Sequence, residues 1–141
     1  MRHEVRFTAE KITKFLPVIE PLVYRKKAPL AEFKVTECSG PGVDPQTGLG
    51  VEDSSWQVIA HNTYWGEWTK NYTLRNTFSV PSEWADSESV ALYLPIGDAG
   101  DFSHPETLVY IDGTSYAACD RHHREILLPD EWRDGNSHTI A

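Results

Sequence analysis

Acidic and histidine side chains are concentrated in two short stretches, Gly97–Glu106 and Cys119–His123. Between them the sequence predicts a hairpin with Asp112-Gly113 at its tip, and such a hairpin brings its two open ends together. We therefore expect one cluster, referred to below as the loop pair, that contains Asp98, Asp101, His104, Glu106, Asp120, Arg121, His122 and His123. Carboxylates accept hydrogen bonds from sugar hydroxyls, and Arg or His donates them, so the loop pair suits a sugar ligand.

Other interpretations of the loop pair remain open. Carboxylates can hold a hard cation and histidines a transition metal, but the adjacent His122 and His123 would point to opposite faces of a strand. Asp98 and Asp101 could act as the acid–base pair of a glycosidase, although a loop tip lacks the burial that raises a carboxyl pKa. The loops could also be solvated. We favour a surface that docks on a neighbouring domain or borders an active site, because loops often carry function.

A second candidate site is aromatic. Trp65 and Trp68 lie on either side of Glu67, with Tyr64 and Tyr72 close by in the sequence. Exposed rings of this kind can stack on the faces of pyranose sugars, so the group could bind carbohydrate. Trp and Tyr more often fill the edge of a core between sheets, and we favour that structural role.

One helix precedes these candidate sites. A single apolar stripe at helical spacing contains Ile12, Phe15, Leu16 and Ile19. Thr8 is the expected N-cap, and Glu10 lies in the first turn, where a carboxylate suits the helix dipole. Pro17 and Pro21 are expected to end or kink the helix. We assign residues 1–24 to this helix and its lead-in.

The remaining residues, 25–141, have the pattern of one antiparallel β domain. A loop with several Gly and Pro turn signals is expected over residues 39–55. Short runs rich in β-branched and aromatic residues, bounded by turn signals, predict an all-β antiparallel β-sandwich. The expected strands are Phe33–Val35, Trp56–Ala60, Tyr72–Val80, Val90–Pro95, Leu108–Ile111, Tyr116–Ala118, Ile126–Leu128 and His138–Ala141.

Two segments of the chain repeat each other. Pro81–Ser89 and Pro129–Ser137 share Pro, Glu, Trp, Asp and Ser at matching positions, and each follows one predicted strand and precedes another. Pro ends the strand because it cannot donate to the ladder, and Trp can then fold back over the core edge. The strand after the second copy, His138–Ala141, is short, and we expect it to be part of a longer strand in a longer protein.

The composition limits the classes of function. A chain of 141 residues has room for one domain, and its formal net charge of −8 opposes binding to nucleic acid or to an anionic membrane surface. Cys38 and Cys119 are too few for a disulfide framework. No secretory signal or membrane-spanning run is evident, so we expect a cytoplasmic protein.

Several motifs resemble the galactose-binding-like jelly roll found at the N-termini of glycoside hydrolases. In order along the chain, they are Phe78-Ser79-Val80-Pro81, Trp84, Ala91-Leu92-Tyr93-Leu94, Val109-Tyr110-Ile111-Asp112-Gly113 and Asp134-Gly135-Asn136. Three further stretches and the leading helix resemble the N-terminal domain of α-mannosidases of glycoside hydrolase family 38, of the cytosolic or vacuolar type. The stretches are Tyr64–Trp68, Gly97–Glu106 and Tyr116–Ile126.

This resemblance implies a parent enzyme that is a zinc-dependent, retaining exo-α-mannosidase acting on mannose-containing glycans. The family binds zinc through a His-x-Asp pair, a further Asp and a distant His, all in a catalytic domain that follows this one. None of the six histidines here is followed by Asp at the second position. We therefore expect no catalytic residue, zinc ligand or other cofactor in this chain, and we expect it to be inactive alone.

Three functions follow as hypotheses. The chain could be the non-catalytic N-terminal domain of such a parent, packed on the catalytic domain and bordering the substrate cleft. It could instead be a free-standing carbohydrate-binding module that uses the aromatic group or the loop pair. It could also be an oligomerisation domain, in which case the parent would be a homo-oligomer. The resemblance favours the first, in the cytoplasm or, for a fungal-type parent, the vacuole.

Overall fold

The computed structural model describes residues 7–40, 43, 45–84, 89–97 and 105–141. One helix and eight strands are found there, together with 3₁₀ turns at Ser82–Trp84 and Asp130–Trp132. In chain order these elements are α1 (Thr8–Val23), β1 (Phe33–Glu37), β2 (Gln57–Ile59), β3 (Tyr72–Phe78), β4 (Ala91–Tyr93), β5 (Thr107–Ile111), β6 (Thr114–Cys119), β7 (Glu125–Leu127) and β8 (His138–Ile140). Each predicted strand is confirmed, with ends that differ by a few residues.

The strands form two antiparallel sheets. Six strands pair in the order β2-β1-β3-β8-β5-β6, and β4 pairs with β7 in a separate two-stranded sheet. Buried residues from both sheets form one hydrophobic cluster, in which Ile111 and Ile140 are the most deeply buried. The antiparallel, mainly β character predicted from the sequence is therefore confirmed.

The repeated Pro–Trp segments carry the chain between the two sheets, in opposite directions. The first joins β3 of the larger sheet to β4, and the second joins β7 of the smaller sheet to β8. In each copy the Trp amide donates to the Pro carbonyl, at 2.8 Å for Trp84 and 3.1 Å for Trp132. Both indole rings pack half-buried against the core, as the repeat predicted.

The predicted hairpin tip is confirmed at Asp112-Gly113, the two residues between β5 and β6. Both have positive φ, 50° for Asp112 and 79° for Gly113. A two-residue turn of this kind matches the right-handed twist of the strands that it joins.

The helix differs from its prediction in two respects. It begins at Thr8, and the N-cap position is occupied by Phe7, which has a left-handed backbone and makes no side-chain capping bond. Pro17 and Pro21 lie inside the helix. A proline removes one helical hydrogen bond but leaves those of its neighbours, so the expectation that either residue ends the helix is wrong.

A buried arginine holds the long loop against the larger sheet. Arg75 on β3 is 4% exposed, and its guanidinium donates to Asp53 at 3.2 Å and to the carbonyl oxygens of Gln46 and Gly48 at 3.3 and 3.0 Å. Lys34 reaches the same carboxylate at 2.6 Å, and Lys34 and then Arg75 hold the pKa of Asp53 below its usual value. A buried charge requires such partners.

Candidate functional site

The open end of the β5–β6 hairpin brings one part of the loop pair together. Thr107 pairs with Cys119 in the ladder, and the Thr107 hydroxyl donates to the Cys119 carbonyl at 3.2 Å. Glu106 and Asp120 are the next residues outward from this pair, so they lie at the same edge. Asp98, Asp101 and His104 lie outside the described residues.

Asp120 organises the turn that follows β6. One carboxylate oxygen accepts the backbone N–H groups of His122 and His123, at 2.6 and 2.7 Å. The ring Nδ1 of His123 lies 3.0 Å from both carboxylate oxygens. The contact with His123, followed by the backbone bonds, holds the pKa of Asp120 well below its usual value. Asp120 therefore stabilises its own turn as a carboxylate.

The other side chains of this turn also bond within it. Arg121 donates through Nε to the ring Nε2 of His122 at 3.0 Å, and Arg124 donates to the Arg121 carbonyl at 2.8 Å. His122 and His123 remain exposed at the surface. Within the described part of the chain, no three His, Cys, Asp or Glu side chains are grouped so that they could hold a metal ion. The turn therefore presents two imidazole rings at the surface.

The aromatic group divides between the core edge and the surface. Trp65 is half-buried and meets Tyr72 edge-on, with ring centroids 6.1 Å apart. Tyr64 and Trp68 are 87% and 76% exposed, so the preference for a core role is wrong for these two rings. Gly66, with φ of 85°, turns the backbone between them.

The loop that carries these rings is tied to β1 by Lys70. Its ammonium lies 2.8 Å from the Glu67 carboxylate and 3.0 Å from that of Glu37, and these two hydrogen bonds raise the pKa of Lys70. Trp68 is the residue after Glu67, so the ion pairs restrain the segment that presents its ring. Trp68 is therefore an exposed ring on a restrained segment.

A third polar centre, at His138, was not predicted from the sequence. The buried imidazole lies between two carboxylates, with Nδ1 2.7 Å from Asp112 and Nε2 2.9 Å from Asp134. An ionised carboxylate only accepts hydrogen bonds, so this arrangement favours the imidazolium form of His138, in which both ring nitrogens carry protons. Asp112 also accepts the backbone N–H of Thr139 at 2.8 Å, so the hairpin tip is joined to β8.

The three ionisable groups of this centre, His138, Asp112 and Asp134, change one another's pKa values. Burial alone would lower the pKa of His138, but its hydrogen bonds to the two carboxylates outweigh burial and raise it. Burial opposes ionisation of Asp112, yet the bonds from His138 and Thr139 lower its pKa. His138 and then Asn136 lower the pKa of Asp134 to about 2. In the sequence, Asp112 and Asp134 were recognised only as turn residues, so their contacts with His138 were not predicted.

No family model matches this chain, and neither a curated protein nor a solved structure matches it. The resemblance to family 38 mannosidases therefore depends on the motifs named in the sequence analysis. Across the described ranges, no helix has the length and apolar character needed to cross a bilayer.

Proposed function

We propose that this chain is the non-catalytic N-terminal domain of a zinc-dependent, retaining α-mannosidase of glycoside hydrolase family 38. In this proposal the two sheets are the layers of a galactose-binding-like jelly-roll β-sandwich. The order of the motifs supports it, as do the paired Pro–Trp turns that cross between the sheets. The zinc ion and the nucleophile belong to the catalytic domain, in a cytoplasmic or vacuolar parent enzyme that could be homo-oligomeric.

The observation that carries the docking role is the apolar stripe of α1. Ile12, Leu16 and Ile19 share one side of the helix and are 55%, 58% and 53% exposed. Burial of apolar area contributes roughly 25 cal/mol per Å², so a stripe of this kind is expected to be covered by a partner. The catalytic domain of the parent enzyme is the partner that the resemblance supplies.

The turn at Asp120 supplies a polar surface for the same role. His122 and His123 project from a turn whose backbone is fixed by one carboxylate, and Glu106 lies at the same edge. A fixed polar edge of this kind can border a cleft in which sugar hydroxyls bind. The proposal therefore assigns α1 to docking and the hairpin's open end to the cleft border.

The test is reconstitution from separate parts. A family 38 catalytic domain that lacks its N-terminal domain is mixed with this chain, and binding is measured by calorimetry. We expect the double variant I12D/I19D to lose binding, because charges on the stripe oppose its burial. The matched control is Lys14→Asp on the opposite side of α1, which changes the net charge by the same amount and should bind normally.

The contrary result is also defined. Binding by I12D/I19D equal to that of the unaltered chain would remove α1 from the interface, and absence of binding by the unaltered chain would contradict the proposed function. All substituted positions are exposed, so the variants should change the free energy of unfolding by no more than about 0.5 kcal/mol per site.

A second candidate, a carbohydrate-binding module, is favoured by Tyr64 and Trp68. Titration with mannose oligosaccharides, followed by tryptophan fluorescence, tests it. Trp68→Ala should abolish binding, whereas Tyr93→Ala, an exposed aromatic position on β4, should leave it unchanged. Absence of binding by the unaltered chain would exclude this candidate.

A further inference from the structure

The dipeptide Asp-Gly occurs twice in the chain, at Asp112-Gly113 and at Asp134-Gly135. An Asp that precedes Gly is prone to isomerisation, because glycine has no Cβ to hinder its backbone nitrogen as it approaches the aspartyl carboxyl carbon. Both glycines are exposed and lie in connections between strands, each with φ of 79°. Water therefore reaches both dipeptides, and burial protects neither of them.

Both aspartates are instead held by the same imidazole ring. Nδ1 of His138 lies 2.7 Å from one oxygen of Asp112, and Nε2 lies 2.9 Å from one oxygen of Asp134. The other oxygen of Asp112 accepts the Thr139 backbone N–H at 2.8 Å. Asp134 accepts the backbone N–H of Asn136 with one oxygen and its side-chain amide with the other, at 2.8 and 2.5 Å. Each of the four carboxylate oxygens therefore has a donor.

These hydrogen bonds oppose isomerisation in two ways. The carboxyl group must lose one oxygen as water when it is attacked, and this loss requires the neutral acid, whereas hydrogen bonds to the charged form favour the carboxylate. The carboxyl carbon must also turn towards the nitrogen of the following glycine, and this rotation breaks the contact with His138. The ring is buried and belongs to β8, so the sheet fixes its position and it does not follow either carboxylate.

We propose that Asp112 and Asp134 are sites of spontaneous isoaspartate formation and that the single side chain of His138 controls both of them. While the ring bridges the two carboxylates, both dipeptides are stable. Loss of this bridge, through substitution of His138 or local opening of β8, releases both carboxylates together. The proposal is independent of the mannosidase function.

The reaction is a dehydration followed by a hydrolysis. The backbone nitrogen of Gly113 attacks the side-chain carboxyl carbon of Asp112, a C–N bond forms, and the amide proton and one carboxyl oxygen leave as part of a water molecule. The product is a five-membered succinimide. Water then opens the ring at the side-chain carbonyl, which restores aspartate, or at the backbone carbonyl, which gives isoaspartate. Gly135 and Asp134 react in the same way, and no oxidant or cofactor is consumed.

The experiment ages the whole chain and its variant His138→Asn for several weeks in mildly acidic buffer. The short amide of the variant cannot reach both carboxylates. Isoaspartate at each position is measured by mass spectrometry with electron-transfer fragmentation, which distinguishes it from aspartate. We expect it to accumulate at least about tenfold faster in the variant, at both Asp112 and Asp134, because each site loses a charge-assisted hydrogen bond.

A substitution in the smaller sheet is the control for loss of stability. Ile126 is buried on β7, whereas His138 belongs to the larger sheet. Either Ile126→Val or Ile126→Ala is used, whichever has the free energy of unfolding in urea closer to that of His138→Asn. This variant weakens the fold but keeps the bridge, so its isoaspartate should accumulate as in the unaltered chain.

Three results would overturn the proposal. Equal accumulation in the Ile126 variant and in His138→Asn would show that unfolding is the cause, and a rise at only one aspartate would show that the ring does not control both. Where His138→Asn does not fold, the unaltered chain is aged both folded and in urea. The folded chain should then react at least about tenfold more slowly at both sites, and similar rates in the two states at either site are the third contrary result.

Discussion

At the scale of single residues, the His138 side chain links two separate turns of the chain to β8. Its ring joins the hairpin tip at Asp112 to the turn at Asp134, and its backbone belongs to β8. The two turn motifs predicted that Asp112 and Asp134 lie in turns, but not that both carboxylates contact the same imidazole ring. A contact of this kind depends on how strands far apart in sequence are ordered, and local patterns carry no information about that order.

The His138 centre predicts a pH dependence of stability. The folded pKa of His138 is raised, so its contribution is fully present below the unfolded value of about 6.5 and is lost as pH rises through the folded pKa. Asp112 and Asp134 have lowered pKa values, so their contribution is present above the ordinary value of 3.8 and is lost as pH falls towards about 2. Stability should therefore be greatest between these limits.

Urea unfolding at roughly pH 5 and roughly pH 9 measures this effect. The unaltered chain should lose stability at the higher pH, and His138→Asn should lose much less. His61→Asn is the matched control, because its exposed ring faces a backbone carbonyl, and it should behave like the unaltered chain. An equal pH response in the two variants would contradict the role of His138.

At the scale of elements, the hairpin tip shows how far local sequence determines structure. Asp112-Gly113 predicted a two-residue turn, and the turn is present with both residues at positive φ. The start of α1 was not predicted correctly, because Thr8 has the chemistry of an N-cap but lies within the first turn. Buried Arg75 was missed for a different reason, since its partners lie in a loop that has no regular pattern.

Gly113→Ala tests the requirement for glycine at the tip. Its φ of 79° is unfavourable for an L side chain, and the new Cβ would lie 3.5 Å from the Gly48 Cα. We expect the free energy of unfolding to fall by about 1–2 kcal/mol. Gly135→Ala has the same φ with open space around it, so it measures the backbone cost alone.

The control for both substitutions is Gly50→Ala. A Cβ added there would meet no atom within 4 Å, and the φ of Gly50 lies outside the left-handed region. Thermal unfolding of the three variants separates the cost of the positive φ from the cost of the contact with Gly48. Gly50→Ala should leave stability unchanged or slightly higher, since it reduces the freedom of the unfolded chain. Loss of stability in Gly50→Ala equal to that in Gly113→Ala would show that backbone conformation is not the cause.

At the scale of the whole molecule, the sequence predicted eight strands and their antiparallel character but not their order across the larger sheet. The position of β8 between β3 and β5 depends on long-range pairing, for which the hydrophobic pattern of His138–Ala141 gives no partner. The loop pair was predicted only in part. The pairing of β5 with β6 places Glu106 and Asp120 at the same edge, as expected. The sequence did not predict that the Asp120 carboxylate bonds to the backbone of its own turn.

The isolated chain is expected to have no glycosidase activity. The prediction follows from the missing His-x-Asp pair in the sequence and from the use of the Asp120 carboxylate within its own turn. Release of an aryl group from an aryl α-mannoside, with zinc added, measures it. The chain after repurification and a heat-denatured sample should give the same rate, and turnover that survives repurification would contradict the prediction.

The position of β8 also determines the order in which the molecule can be built. β3 and β5 are held in one sheet by a strand that is synthesised after both of them. At about 5–20 residues per second, translation leaves these two strands without their shared neighbour for about 1.5 to 6 seconds after β5 leaves the ribosome. During that interval their facing edges can pair with other nascent chains. A chaperone that shields strand edges would therefore act on β3 and β5 before the final turn, at residues 129–137, has formed.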